Sequence, residues 1–516
     1  MQYVVTGKEM KAIDTFSIQE IGIPSLVLME RAACMLSWAI EEKEKKTVSI
    51  GIVSGMGNNG ADGLAAARIL REKGFSNVTV WAVGNREHAT KEWFAQYHII
   101  KNLGIPLYFY GEPETEDFSS CEILVDGLFG IGLTREITGI YREVIEKINA
   151  ASAKVYAVDI PSGICAEDGR IMGIAVKADI TVTFGFLKAG CILYPGAEYS
   201  GKVEVYPIGF PDKAVEQISP SFVIYGREDL NRLPARPARS NKGTFGKVLL
   251  AAGSPNMAGA AYLAARAAYG CGAGLVRILT AEENRIVLQT LIPEAILTTW
   301  ESGRERDYYR TIARECCQWA TVGAAGPGLG TSKEAAWMCE AVLDEMKNPL
   351  VLDADGLNLL ASHPDWKKKN QGNWILTPHL GEMGRLLGKP VKEIADHLPE
   401  CAKELAKTYE AVAVCKDART IVESGGVSTY INISGNSAMA KGGSGDVLTG
   451  VLVGLLAGKS SFSDGTGMRH LLEETARLGV YIHGLAGDLV QEKKGAYSLM
   501  ASDLTDALGE LLRGVK

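Results

Sequence analysis

The sequence predicts an α/β protein of two domains, each a mostly parallel sheet with helices on both faces. Short runs rich in Val and Ile recur between helical segments without alternating apolar and polar residues, as strands buried on both faces do. These runs form two series, separated by a polar, Pro/Arg-rich seam at 212–240. A chain of 516 residues is also too long for one ordinary domain.

The first series covers about 1–212 and opens with a helical stretch, roughly 7–43. Strands are expected at TVSIGIVSG (47–55), NVTVWAVG (77–84), CEILVDGLFG (121–130), KVYAVDIPSG (154–163) and ADITVTFG (178–185). The seam reads as a linker and the approach to a second domain, with the Pro/Arg-rich stretch 231–240 near the boundary. Domains of 1–215 and 225–516 are expected. The second series runs through GKVLLAAGS (246–254), LVRILT (275–280), ATVGAAGPGLG (320–330), PLVLDADG (349–356), NWILTPH (373–379) and AVAVCKD (411–417). TIVESGG (420–426) and VSTYINIS (427–434) predict a hairpin, and a long helix should follow Gly445. The two halves do not look like copies.

Composition narrows the class. Apolar residues at 47% and charged residues at 22% exclude disorder and coiled coil for the whole chain, and 58 glycines without a G-X-Y period exclude collagen. A net charge of −7 argues against a general nucleic-acid or anionic-membrane partner. The ten cysteines contain no C-x-x-C pair, against zinc sites and a disulfide framework, and they suit a reducing cytoplasm. Cys316 and Cys317 fall in a helical stretch and read as inert packing. MQYVVTGKEMKAID lacks an apolar signal core, and VLTGVLVGLLAG (447–458) is too short to span a bilayer. A cytoplasmic protein is expected.

The apolar runs end in glycine with a polar group: SGMGNNGADG, VDGLFG, VDIPSG, AAGPGLG, LDADG. Ligands of doubly wound sheets bind beyond the carboxyl ends of the strands, so two crevices lined by Gly and Asp are expected. In the first, Gly55, Gly57, Gly60 and Gly63 stand between a strand and a helix, which suits a phosphate-bearing ligand. Asn58 and Asn59 interrupt the G-x-G-x-x-G pattern and add neutral oxygens able to ligate a monovalent cation. Asp126 and Asp159 end strands, and Ser162 follows in D-I-P-S-G. Asp159 is a candidate proton carrier or a structural cap; Asp62 reads as a helix cap rather than a chemical group.

LMERAA (28–33), SGMGNNGADGLAAAR (54–68), VDGLFGIGLTRE (125–136) and VDIPSG (158–163) together resemble the N-terminal half of the bifunctional NAD(P)H-hydrate repair enzymes. The resemblance covers 1–212 and implies a Rossmann-like, three-layer αβα epimerase domain acting on the R and S hydrates NADHX and NADPHX. It implies that Asn58, Asn59, Gly60, Ala61, Asp62, Gly130, Ile131, Gly132, Leu133, Thr134, Arg135, Glu136, Tyr141 and Asp159 contact the hydrated nucleotide. It also implies that Asn59, Asp126 and Ser162 hold K⁺. One carboxylate among neutral oxygens suits a weakly hydrated monovalent ion better than Mg²⁺.

The strongest short motif is NSAMAKGGSGDVLTGVLVGLLAG (436–458). Gly442, Gly443 and Gly445 precede an apolar helix whose first amides make an anion hole. Asp446 in the first turn can take a proton from a substrate hydroxyl while those amides hold phosphate charge; its bland alternative is a cap. No Walker loop is present. This G-x-G-D arrangement resembles the ribokinase-like superfamily. SNKGTFGKVLLAAGS (240–254), NMAGAAYLAARAA (256–268), GPGLG (326–330), LDADGLNLL (352–360) and TPHLGEMGRLL (377–387) resemble its hydrate dehydratase branch, over about 230–516.

That resemblance implies ADP-driven dehydration of the S hydrate to NADH or NADPH, with AMP and phosphate as products. It implies that Ala260, Gly328, His379 and Asp446 contact the hydrate, and that Lys416, Asp417, Ala418, Arg419, Thr420 and Gly445 contact the nucleotide. Asp417 stands where the family has Gly, which changes backbone freedom and charge in that loop. Mg²⁺, bound mainly through phosphates, is expected with ADP. The assembly is expected to be a homo-oligomer without nucleic-acid or membrane partners. The alternative reading is a ribokinase-type vitamin or sugar kinase with an accessory N-terminal binding domain.

Overall fold

The computed structural model describes residues 1–112, 117–426, 428–460 and 467–513. The chain divides into two compact units, Tyr3–Phe222 and Val223–Lys516, the latter with Met1–Gln2.

In the first unit, a short strand β1 (Gln2–Val5) precedes two helices, Gly7–Gln19 and Ser25–Glu41. The helical stretch expected over roughly 7–43 is these two helices, separated where Gly22 takes φ 87° and Pro24 precedes the second. Thr6 and Glu9 form a reciprocal cap on the first helix. The main strands are β2 (Ile50–Ser54), β3 (Val78–Ala82), β4 (Leu107–Phe109), β5 (Ile123–Gly127), β6 (Lys154–Val158) and β7 (Ile180–Phe184). A two-residue β8 (Leu187–Lys188) and then β9 (Lys202–Tyr206) follow. The sheet order is β4-β3-β2-β5-β6-β7-β9, all parallel.

The chain therefore builds outward from β2 to β4, returns to β5 and builds the other way. That reversal opens a crevice at the carboxyl ends of β2 and β5. Ile50 and Ile52 pack with Leu36, Ile40 and Leu64 on one face, and Val53 and Leu124 with Val144 and Ile148 on the other, giving three layers. β1 and β8 pair in parallel, Val5 opposite Lys188.

The second unit repeats this logic. Its strands are β10 (Phe222–Ile224), β11 (Lys247–Ala251), β12 (Leu275–Ala281), β13 (Ile296–Trp300), β14 (Val322–Ala325), β15 (Leu350–Leu352), β16 (Trp374–Leu376), β17 (Val412–Cys415), β18 (Ile421–Glu423) and β19 (Thr429–Ile431). Their order is β13-β12-β11-β14-β15-β16-β17-β18-β19-β10, with the reversal between β11 and β14. The ladder is parallel from β13 to β17. The expected hairpin is the antiparallel pair β18–β19. The seam is more ordered than a linker, holding helix Asp212–Ile218, β10 and a 3₁₀ segment Arg227–Arg232. β4, β9 and β13 escape the apolar-run criterion because they are short or partly exposed.

The expected long helix is Ser444–Ser460. It crosses helix Ala258–Gly270 at backbone contact. A Cβ on Gly450 would lie 2.2 Å from Ala264 O, and one on Gly454 would lie 2.6 Å from Ala268 O. No described helix is long and apolar enough to cross a membrane. Gly450→Leu should overpack this crossing and cost about 1–3 kcal/mol. Denaturant unfolding of the full chain checks this, the expected result being an earlier transition for the second unit.

Candidate active sites

The first crevice is a cavity of about 620 Å³ in the first unit. Helix Asn58–Glu72 starts at its wall. Its N-cap is Gly57, with no side-chain cap, so the first amides are open to a ligand. A Cβ on Gly60 would lie 1.9 Å from Gly55 O, so only glycine lets the helix begin this close to β2. Asn58, Asn59, Asp62, the segment 130–135, Tyr141 and Asp159 face the cavity. Gly60 and Ala61 are buried in the helix, and Glu136 is exposed outside the lining.

Asp62 is not the helix cap that its sequence position suggested. The cap is Gly57, and Asp62 lies in the second turn, facing the cavity. Burial, then the Asp159 and Asp14 charges, push its carboxyl well above the usual range, against the pull of Lys188. Asp159 is not a cap either. It sits at φ 67°, a strained conformation for a non-glycine residue. Its Oδ1 accepts from Phe184 N–H at 3.0 Å, from Thr183 Oγ1 at 3.2 Å and from Lys188 Nζ.

Asp126 is wholly buried at the end of β5. Ser162 donates to it from Oγ at 2.6 Å and from N–H at 2.7 Å, and Leu128 N–H donates at 3.2 Å. Burial still lifts its carboxyl to about 6. No cation among the described residues pairs with it, and the buried Asn59 Nδ2 beside this turn has no partner. A monovalent cation would supply the missing charge, so the oxygens of Asn59, Asp126 and Ser162 fit one.

In the second unit, Gly326 and Gly328 carry the turn after β14. Gly326, at φ 126°, would drive a Cβ to 1.8 Å from Asp353 O. Gly328 lies against Ala260, which a Cβ would meet at 2.9 Å, so these two predicted contacts come together. Asp353, after β15, is the buried hub: Lys416 Nζ pairs with its Oδ1 at 2.7 Å and Thr449 Oγ1 donates to its Oδ2 at 2.8 Å. Gly445 stands beside both: a Cβ there would lie 3.4 Å from Lys416 Nζ and 3.7 Å from Asp353 Oδ2. Asp446 lies in the first turn of helix Ser444–Ser460. Burial, then the Asp353 charge, push its carboxyl to about 7, with Lys416 opposing.

Gly443, at φ 94°, turns the chain into that helix, with Gly442 before it. His379 pairs with Lys416 across a parallel bridge. Its Nδ1 accepts from Gly381 N–H at 3.0 Å and Glu382 N–H at 3.3 Å, so the ring caps helix Leu380–Leu387. Burial, then Lys416 and Arg385, lower its pKa. Asp417 and Ala418 are exposed between β17 and β18, with Arg419 and Thr420 half-buried behind them. Cys316 and Cys317 are buried in helix Arg306–Trp319, where burial pushes the Cys317 thiol up to about 12.

The residues that sequence reasoning missed are Lys188, Asp14, Asp353 and Thr449. Lys188 carried a readable signal: it is the one charge in the apolar stretch FGFLKAGCILYPG (184–196). A lysine amid such residues implies a buried partner.

Two parallel-sheet α/β units, the first with a crevice at its sheet reversal and the second with a raised carboxyl in the first turn of a helix, are the framework of an α/β enzyme. The comparisons with known proteins specify it. Residues 248–510 match the family described as NAD(P)H-hydrate dehydratase, and 25–190 match the YjeF-related protein N-terminus. The bifunctional NAD(P)H-hydrate repair enzyme Nnr of Thermofilum pendens is 34% identical, covering 99% of this chain and 97% of its own. That of Moorella thermoacetica is 35% identical over 100% and 97%. A structure of the ADP/ATP-dependent NAD(P)H-hydrate dehydratase from Bacillus subtilis, co-crystallised with ATP/Mg²⁺, is 31% identical over 56% of this chain and 97% of that one, with TM-score 0.47. The chain belongs to the bifunctional NAD(P)H-hydrate repair enzyme family.

The Lys416–Asp353 pair yields a stability test. Lys416→Met leaves a buried carboxylate without its cation, which should cost about 3 kcal/mol. Urea unfolding of the full chain at pH 8 reads the loss as an earlier second-unit transition.

Proposed function

We propose that the two units act in sequence on one damaged metabolite. The first epimerises R and S NADHX and NADPHX; the second dehydrates the S form to NADH or NADPH with ADP, releasing AMP and phosphate. The units would serve as separate domains, divided between 215 and 225, where one sheet series ends and the next begins.

In the first crevice, the amides opening helix Asn58–Glu72 would hold the phosphates. Tyr141 and the 130–135 segment would line the nucleotide, and Asp159 would trade the proton as the hydroxyl leaves and returns. Asn59, Asp126 and Ser162 would hold K⁺, which would offset the Asp126 charge beside an anionic ligand. In the second crevice, the amides of Gly442, Gly443 and Gly445 would hold the phosphate charge, with Lys416 and the Asp417–Thr420 loop on the nucleotide. Asp446 would take the proton from the substrate hydroxyl as it attacks phosphorus. Ala260, Gly328 and the ring of His379 would border the hydrate.

Among the described residues there is no group of three or more His, Cys, Asp or Glu able to hold a metal. A Mg²⁺ here would therefore ride on the nucleotide phosphates, whose charge it would balance. Ten free cysteines support a reducing, cytoplasmic setting. The exposed apolar strip of Ile286, Val287 and Leu291 supports a homo-oligomer.

The observation that carries the reading is Asp446: a carboxyl poised at about 7 at the mouth of a helix N-terminus. The test is recovery of reduced-nicotinamide absorbance from an R/S hydrate mixture with ADP or ATP. Complete conversion of both epimers is expected. ATP-dependent phosphorylation of a free alcohol without that recovery would favour the kinase reading.

Asp446→Asn should keep the fold and ADP binding while slowing dehydration by roughly 10²–10⁴. The base must be ionised, and its carboxyl sits at about 7, so the wild-type dehydration rate should fall as pH drops through about 7. A flat profile between pH 6 and 8 would remove Asp446 as the base. Replacing potassium by a bulky organic cation should weaken epimerisation and leave ADP-dependent dehydration of the S form unchanged. Parallel assays of the two activities on one preparation check this.

A further inference from the structure

Lys188 is 1% exposed, and all three of its ammonium protons are committed. They go to Asp159, to Thr183 Oγ1 at 3.0 Å and to Phe184 O at 2.7 Å. It has no proton to offer a substrate. Its backbone is pinned by the β1–β8 pairing at Val5. The cluster fixes Asp159 unevenly. Oδ1 takes three donors, from Lys188, Thr183 and the Phe184 amide. Oδ2 takes none among the described residues, and Asp159 lines the cavity.

We propose that Lys188 is a positioning residue of the epimerase: it clamps Oδ1 of Asp159, supplies its counter-ion, and leaves Oδ2 as the single atom that exchanges a proton with the substrate. The inference rests on the epimerase reading above.

The surroundings explain why such a clamp is needed. The titratable groups facing Asp159 are Asp62 from helix Asn58–Glu72, Asp14 from helix Gly7–Gln19, Lys188 itself and the Cys191 thiol. Lys11, His88 and Arg135 stand farther round the cavity wall. Asp62 and Asp14 are both pushed up, first by burial and then by the Asp159 charge. Three carboxylates thus share one buried ammonium, and the hydrogen bonds assign that ammonium to Asp159. Asp62 and Asp14 have no such hydrogen bond to Lys188 among the described residues. Asp159 holds a φ of 67° within the same arrangement.

The test follows R-to-S conversion of NADHX by chromatography, as kcat/KM against pH, for the wild-type full chain, Lys188→Met and Thr183→Val. Dehydration of S-NADHX by the same preparations reports folded protein. Removing a cation in contact with a carboxylate moves its titration by roughly one to three units. The acid limb of the Lys188→Met profile should therefore move to higher pH by that amount, with much of the lost rate returning at alkaline pH. Thr183→Val keeps the buried charge and should shift the limb less, in the same direction. An unmoved acid limb in both variants, or an equal loss at every pH, overturns the proposal. A wild-type chain that dehydrates the S form but does not epimerise overturns the epimerase reading and this inference with it.

Discussion

Backbone crowding at the carboxyl ends of the strands is the constraint on which the rest depends. At the first unit's reversal, and between β14 and β15 in the second unit, strand ends and a helix start meet with no room for a side chain. A Cβ would come within 1.9 Å of a carbonyl at Gly60, 2.1 Å at Gly55 and 1.8 Å at Gly326. These glycines are required by close approach, not by flexibility. The approach brings helix N-termini to the sheet edge, where their unpaired amides and dipoles meet the carboxylates ending the strands. The crevices are a consequence of the topology, and the chemistry occupies a place the fold cannot fill.

Both units then solve the same electrostatic problem. A carboxylate at a strand end is buried against a lysine: Asp159 with Lys188, and Asp353 with Lys416. Next to each pair stands a second carboxyl with no cation of its own, Asp62 in one unit and Asp446 in the other, and both are raised by burial and by the paired aspartate. Asp126 is a third solution, a buried carboxylate satisfied by Ser162 and Leu128 yet still lifted to about 6. The two halves are unrelated in sequence pattern, so the shared arrangement reflects what a sheet edge and a helix terminus impose.

Much of this was legible in the sequence. Unalternating Val/Ile runs ending in Gly and Asp located the inner strands and the first crevice, because strands buried on both faces read as continuous apolar runs. Edge strands such as β9, with its KVEVY alternation, and the three-residue β4 carried too little signal. The helical stretch at 7–43 was legible, while its division at Gly22–Pro24 was not resolved within it. Asp62 was misread because an Asp near a helix start is usually a cap, whereas here the cap is Gly57 and the carboxyl lies a turn inside. Lys188 and Asp353 were harder. Their roles come from pairing across 29 and 63 residues of chain, which no local pattern records.

The raised Asp446 carboxyl also sets stability against activity. Its folded value of about 7 lies above the ordinary 3.8, so the folded state holds a proton that the unfolded chain has already released. The stabilising contribution is full below the unfolded value and is lost as pH rises through about 7. The base, however, works only when ionised. The pH range in which the second unit is catalytically competent is thus the range in which this residue destabilises it. Lys416 lessens the conflict, since it draws the Asp446 carboxyl down while pairing with Asp353. An Asp446→Asn chain should be the more stable one above pH 7, at the expense of dehydration, the pattern expected where a residue is kept for chemistry rather than for folding.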